Sequence, residues 1–293
     1  MQHFDFRTAR SKEEALDFLS QAKGPCKVLA GGTDLIPSLR KEEFLPDYVL
    51  NILEIESLKG ISQEGNEIRI GPTTTFSDIM ESEFLARNLP LLVQAAASVG
   101  GPQVRNRGTI GGNILTASPA ADLLPAVMAL DAFLELDSKR SGRRRVPISD
   151  SIEAPYRPRI GPDELLTGVL IRKPVEGTRF GFIKLGRRKA LARARMNLSI
   201  SLSLGRDGAV SDIRIVPGAV MPVARRVTEA EEILRGKALA PPALEEADKA
   251  ITDVVLRETG IRRSTEYKLP VLASLFKRLL RQLAEQPPGR IQG

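Results

Sequence analysis

The chain has 293 residues, 43 Lys and Arg against 36 Asp and Glu (formal charge +7), 42% apolar and 27% charged residues, which is ordinary globular composition and excludes a disordered chain. Its length suits two domains. The single cysteine, Cys26, excludes an internal disulfide framework and an iron–sulfur cluster held by this chain alone, and the single histidine, His3, excludes a His/Cys zinc centre and a Ser-His-Asp hydrolase. Carboxylates remain as potential Mg²⁺ or Ca²⁺ ligands.

The positive excess is local, in residues 139–145 and 187–195, and such clusters are usually a solvated face and sometimes a site for an anion. With no Trp and three Tyr there is no stacking platform for bases, so no nucleic-acid partner is expected. The N-terminus lacks an apolar signal core, and no run approaches the roughly 18 apolar residues of a membrane span. A soluble, cytoplasmic protein is expected.

In chain order, Ser11 followed by Glu14 reads as a capping box opening a helix over 11–19. Residues 26–30 read as a short buried strand stopped by Gly31-Gly32, after which Thr33 or Asp34 caps a helix with Pro37 in its first turn. Strands follow at 48–52 and 68–71, helices at 73–80 and 89–99, then a helix over 122–132 running into a strand at 133–136. A strand is expected at 164–171. Beyond a boundary near 174–177 the pattern changes to period-2 strands at 179–184, 198–204 and 210–216, the last two joined by a Gly205–Gly208 turn. Helices at 228–235, 242–259 and 270–285 and a frayed 286–293 tail complete an α+β second part.

The common catalytic and nucleotide-binding signatures are absent: no GxGxxG, GxxxxGK[ST], HExxH or CxxC occurs. What stands out is two glycine pairs, Ala30-Gly-Gly-Thr-Asp34 after a strand and Thr109-Ile-Gly-Gly-Asn113 after a helix and a polar turn. Consecutive glycines let main-chain N–H groups approach a phosphate, and two such nests would clamp a diphosphate. The alternative is that each pair serves only a tight turn.

AGGTDL at 30–35, IGPTTTFSDI at 70–79, GGPQVRNRGTIGGNILTASPAADLLPAVMALDA at 100–132 and FGFIKLGRRKALARA at 180–194 resemble the FAD-binding, or medium, subunit of molybdenum hydroxylases of the xanthine dehydrogenase and carbon monoxide dehydrogenase family. The resemblance runs from about residue 1 into the 280s and is most specific at QVRNRGTIGGN. It implies a two-part α+β FAD-binding domain of the vanillyl-alcohol-oxidase (PCMH) type over 1–175, with subdomains of about 1–57 and 58–175, and a small C-terminal α+β domain over 176–285, an antiparallel sheet with helices.

The same resemblance implies cofactor contacts residue by residue. Leu29, Ala30, Gly31, Gly32, Thr33, Asp34, Leu35 and Ile36 match the first phosphate loop, and Thr109, Ile110, Gly111, Gly112 and Asn113, with Thr116 behind them, match the second. Asp122 matches an acid on the ribityl or adenosine part of FAD, and Val99 stands where some relatives have an aromatic. Leu166 matches a contact to the flavin edge, and Lys184 a lysine beside the ring's pyrimidine side. Asp34, which a phosphate would repel, is expected to cap its helix. Without the resemblance, Asp122 reads equally as a helix cap, Lys184 as a solvated strand residue and Leu166 as core.

The implied function is electron transfer: FAD in this chain, and molybdopterin and two [2Fe-2S] clusters in large and small partner subunits of a heterotrimer or its dimer. The electrons pass to an external acceptor such as NAD or quinone. No catalytic acid or base is required of the protein. A stand-alone FAD-dependent oxidoreductase of the same fold is the alternative, disfavoured by the small C-terminal part. A non-catalytic basic binding module has only the arginine clusters in its favour.

Overall fold

The computed structural model describes residues 3–188 and 192–286. Three short strands, β1 (Asp5–Thr8), β2 (Cys26–Leu29) and β3 (Tyr48–Asn51), form a parallel sheet in the order β1-β3-β2, connected by α1 (Lys12–Gln21) and α2 (Leu35–Arg40). Ser11 caps α1 by accepting from the Glu14 N–H at 3.1 Å, while the Glu14 carboxylate accepts from Arg10 N–H at 2.8 Å and not from the capping residue's own N–H as a reciprocal box requires. The β2 strand is where expected but is not buried: it is an edge strand, and Lys27 and Val28 are exposed. Burial still pushes the Cys26 thiol up to about 11, against a weaker backbone hydrogen bond from Leu50, which favours the protonated thiol over the thiolate.

The second sheet is larger and wholly antiparallel. Its strands are β4 (Ile61–Glu64), β5 (Glu67–Ile70), β6 (Phe133–Ser138) and β7 (Gly142–Pro147), then, after a small ribbon of β8 (Ile152–Ala154) and β9 (Arg157–Pro158), β10 (Glu164–Arg172). The order is β4-β5-β10-β6-β7. Between β5 and β6 run six short helices, α3 (Phe76–Glu81), α4 (Glu83–Asn88), α5 (Pro90–Ala97), α6 (Pro102–Arg105), α7 (Ile110–Thr116) and α8 (Leu123–Ala129). Their apolar sides, including Ile79, Leu92, Ile114 and Val127, share one core with Ile70, Leu134 and Val169 of the sheet. Three of these helices, α4, α6 and α7, were not legible in the sequence. The second glycine pair does not follow a helix as a turn: Gly111 and Gly112 lie in the first turn of α7, where the Thr109 cap offsets their poor helix propensity.

The basic run at 139–145 is mostly paired. Arg143 bonds Asp137 at 2.8 Å, Arg144 bonds Glu164 at 2.7 Å and Arg145 bonds Glu67 at 3.2 Å. Arg143 and Arg144 satisfy carboxylates buried on β6 and β10, along with Lys12 on Asp137 at 3.0 Å and Arg69 on Glu135 at 2.6 Å, while Arg145 pairs with the partly exposed Glu67 of β5. Buried carboxylates without such partners would cost several kcal/mol each.

The third sheet, antiparallel in the order β11 (Arg179–Gly186), β12 (Ala194–Leu204), β13 (Val210–Gly218), is followed by α9 (Thr228–Leu234), α10 (Pro241–Thr259) and α11 (Thr265–Glu285). Helix α11 begins five residues before the expected Pro270, which sits inside it on an exposed side where water can take the carbonyl the ring leaves unbonded. The tail expected to fray lies, apart from Gln286, outside the described residues.

The two faces of β12 explain how this sheet is held. Met196, Leu198, Ile200 and Leu202 pack with α10 and α11, as an alternating strand requires. The alternate residues Asn197, Ser199 and Ser201 are equally buried, because this polar face lies on α8 rather than in water. Small side chains let the elements close up: a Cβ on Gly218 would stand 2.1 Å from Asn197 Oδ1 and 2.6 Å from Pro125 Cγ. Gly218→Ala is therefore expected to lose about 1–3 kcal/mol in urea unfolding, the range for overpacking a close-fitted site; Gly24→Ala, which meets only the Asp47 side chain, is the milder control.

Candidate functional site

The first glycine loop leaves β2 and is pressed onto the segment that leads into the second. A Cβ at Gly31 would lie 1.9 Å from the Arg107 carbonyl oxygen and 3.0 Å from Gly108 Cα, so only glycine fits. Gly32 has φ +73°, the left-handed region that favours glycine. Among the described residues, the N–H groups of Gly31, Gly32, Thr33 and Asp34 donate to nothing in the protein. Four adjacent free donors form the kind of nest that binds an anion. Asp34 does not cap α2: its backbone is already helical (φ −107°, ψ −44°), which turns the carboxylate away from the N–H groups a capping side chain must reach.

The second loop differs from a mirror-image nest. Ile110 N–H bonds Thr74 O at 3.0 Å, Gly111 N–H bonds Pro72 O at 2.9 Å, Gly112 N–H bonds Thr109 Oγ1 at 3.1 Å and Asn113 N–H bonds Thr109 O at 3.0 Å. Gly111 is fixed by packing, since a Cβ there would strike Pro72 Cβ at 2.7 Å. What this loop does present is Asn113 Oδ1, a buried acceptor without a partner among the described residues. Thr116 follows one turn later on α7. Thr75 and Thr109 form a single antiparallel bridge that ties this loop to the start of α3.

A second cluster lies at the seam with the third sheet. Lys184 Nζ on β11 donates to Asp122 Oδ2 at 2.6 Å and to Ser98 O at 2.8 Å, and Asn197 Nδ2 on β12 donates to Asp122 Oδ1 at 3.1 Å and Ala121 O at 3.2 Å. The ion pair is buried on both sides, 13% and 8% exposed. Desolvation by burial pushes the Asp122 carboxyl above the usual carboxylate range, opposed by the Lys184 charge and by the hydrogen bonds from Lys184 and Asn197. Like Asp34, Asp122 precedes a helix without capping it, its backbone being helical (φ −89°, ψ −35°).

Val99, next to Ser98, is half-buried beside this cluster, and its carbonyl accepts from Arg105 Nη1 at 3.1 Å. Leu166 is brought to neither cluster: its side chain lies in the core of the second sheet. Asn197 was missed in the sequence, where it is one polar residue of an alternating strand. An amide among serines, NLSIS, was the only signal. Among the described residues no group of three His, Cys, Asp or Glu could hold a metal ion.

Two family profiles match nearly the whole chain: the FAD binding domain in molybdopterin dehydrogenase over residues 2–174, and the CO dehydrogenase flavoprotein C-terminal domain over residues 182–283. The chain belongs to the FAD-binding subunits of the molybdopterin dehydrogenases. It is similar to the nicotinate dehydrogenase FAD-subunit of Eubacterium barkeri (32% identity over 99% of each chain) and to the carbon monoxide dehydrogenase medium chain of Hydrogenophaga pseudoflava (31%, 94% of this chain and 96% of that one). Its fold matches the H. pseudoflava carbon monoxide dehydrogenase lacking the Mo-pyranopterin moiety of its cofactor, with TM-score 0.90, 30% identity and coverage of 96% and 97%. Quinoline 2-oxidoreductase of Pseudomonas putida 86 follows with TM-score 0.87, 25% identity and coverage of 97% and 98%.

The residues present fit the FAD of this flavoprotein family. Free N–H donors at Gly31–Asp34 suit a diphosphate, and the unpartnered Asn113 Oδ1 suits a hydroxyl or ring N–H of the same molecule. FAD supplies a redox centre that the side chains of this chain do not.

The seam pair gives a test that needs no cofactor assumption. Lys184→Met leaves a buried carboxylate without its cation and is expected to cost about 3–5 kcal/mol in chemical unfolding. Lys184→Met with Asp122→Leu is expected to recover most of that loss.

Proposed function

We propose that this chain is the electron-transfer subunit of a molybdenum hydroxylase complex. It takes electrons from [2Fe-2S] clusters in a partner subunit and passes them through its FAD to an external acceptor such as NAD or quinone. The partners are a molybdopterin-binding large subunit and an iron–sulfur small subunit, in a heterotrimer or its dimer. The FAD-binding unit spans 1–175 and the C-terminal unit 176–285.

The observation that carries the reading is the row of free N–H groups from Gly31 to Asp34, held against Arg107 and Gly108 at the head of the second loop, in a chain whose two halves both match this family. In it, the loop from Leu29 to Ile36 holds the diphosphate, by the free main-chain donors of Gly31 to Asp34. Thr109, Ile110, Gly111 and Gly112 form the opposite wall, with Asn113 and Thr116 offering side-chain oxygens. Val99 gives an apolar contact, whereas Leu166, whose side chain is in the core, backs the site from behind. Asp122, with one oxygen on Lys184 and the other on Asn197, has lone pairs left for a ribose or ribityl hydroxyl. Lys184 places its charge beside the flavin, attenuated by Asp122 at 2.6 Å.

The single cysteine supports the division of labour, since a [2Fe-2S] cluster needs four protein ligands. The similarity to medium chains and FAD-subunits supports partner subunits over a stand-alone oxidoreductase.

Purification from the native source is expected to give a yellow protein with one FAD per chain, accompanied by molybdenum-containing and iron–sulfur subunits. A colourless chain that takes up no FAD would overturn the whole reading, and a FAD-loaded chain that purifies alone and oxidises substrate itself would favour the stand-alone alternative. Asp122→Asn in the FAD-loaded protein leaves Lys184 uncompensated. The flavin midpoint potential is expected to rise by roughly 30 mV or more, the two-electron equivalent of about 1.4 kcal/mol. An unchanged potential would separate Lys184 from the ring.

A further inference from the structure

A cavity of about 400 Å³, lined by no residue of either glycine loop, lies between Pro119 and Pro155 on one side and the α10–α11 corner on the other. Its floor is apolar, built from Val220, Met221, Val255 and Leu269, and its polar side carries Arg262 and Lys268 with no carboxylate among the lining residues. The volume is in the range of small-molecule sites.

Several of the chain's arginines are matched by acids, among them Arg143, Arg144, Arg145, Arg214 and Arg226. At this cavity Arg262 and Lys268, with Arg195 nearby, have no carboxylate partner among the described residues. Lys268 Nζ donates to Ala219 O at 2.7 Å, Arg262 Nε donates to Thr259 O at 3.0 Å, and the Arg195 guanidinium lies 5.6 Å from the centre of the Tyr267 ring. Burial, and then the nearby charges of Arg195 and Arg262, hold the Lys268 ammonium below the usual lysine range. A partly buried cation held near two others without a counter-ion is a position that an anion would relieve.

The backbone at the cavity is held in place. Ala219 has φ +59°, uncommon for a residue with a side chain, and both its polar groups are used: its N–H donates to Pro119 O at 3.1 Å and its carbonyl accepts from Lys268.

We propose that this cavity binds a small organic anion, a compact apolar or planar body bearing one carboxylate or phosphate, with the anionic group on Lys268 and Arg262 and the body over Met221 and Leu269. The Lys268 ammonium keeps two N–H donors after its bond to Ala219, and the Arg262 guanidinium keeps its terminal nitrogens, enough to hold two anion oxygens.

The test is calorimetric titration of the FAD-loaded protein with benzoate, with Arg262→Gln/Lys268→Gln compared; glutamine at 268 can still donate to the Ala219 carbonyl. One saturable site per chain is expected, weakened by roughly tenfold or more in the double variant, as loss of one charge-assisted hydrogen bond implies. Affinity in the unaltered protein should also fall as NaCl is raised, a readout that does not depend on the variant folding. No saturable heat up to about 10 mM benzoate, or an affinity indifferent to both salt and the two substitutions, would overturn the proposal. FAD content serves as the independent check on the glycine loops, so failure here leaves the flavin reading intact.

Discussion

The structure depends on one buried carboxylate at the seam between its parts. Asp122 cannot be left alone out of water, and Lys184 from β11 and Asn197 from β12 answer it from a different sheet. That requirement fixes the third sheet against α8, brings the Ser98 carbonyl into the same cluster and puts the polar face of β12 out of reach of solvent. Asp131 at the other end of α8, though partly exposed, is also paired from that side, with Arg214 at 2.8 Å and Arg226 at 2.7 Å. Helix α8 is thus gripped at both ends by charges from the third sheet and its following loop.

With the sheets so fixed, the two glycine pairs take different tasks. Gly31 and Gly32 leave donors free, and the close approach of Gly31 to Arg107 holds those donors beside the second loop. Gly111 and Gly112 instead let α7 start tightly against Pro72 and Thr109, with their own N–H groups already bonded. A diphosphate clamp built on this frame is asymmetric, main-chain donors on one side and a packed wall with side-chain oxygens on the other.

Much of this was legible early. The long strands and helices after residue 178 follow strict period 2 or an uninterrupted apolar stripe, and the structure extends them by only a few residues. The short helices α4, α6 and α7 were not, because four to seven residues with glycine, proline or asparagine carry too little periodicity to distinguish a helix turn from a loop. At the site, the motif residues were picked out by their sequence, but not which N–H groups are free. Asn197 escaped because an alternating polar residue on a strand looks solvated until another element covers it.

The sequence by itself determined the family and the α+β class, since those follow from contiguous motifs and from the order of strand and helix patterns, and its one cysteine and one histidine left no set for an iron–sulfur or zinc centre within this chain. Tertiary structure alone decided the pairing of Asp122 with Lys184, 62 residues apart, the burial of the serine face of β12 and the gathering of Arg195 and Arg262 near Lys268. Each of these depends on which groups remain in water after distant segments meet, and burial is a property of the packed chain rather than of any stretch of it.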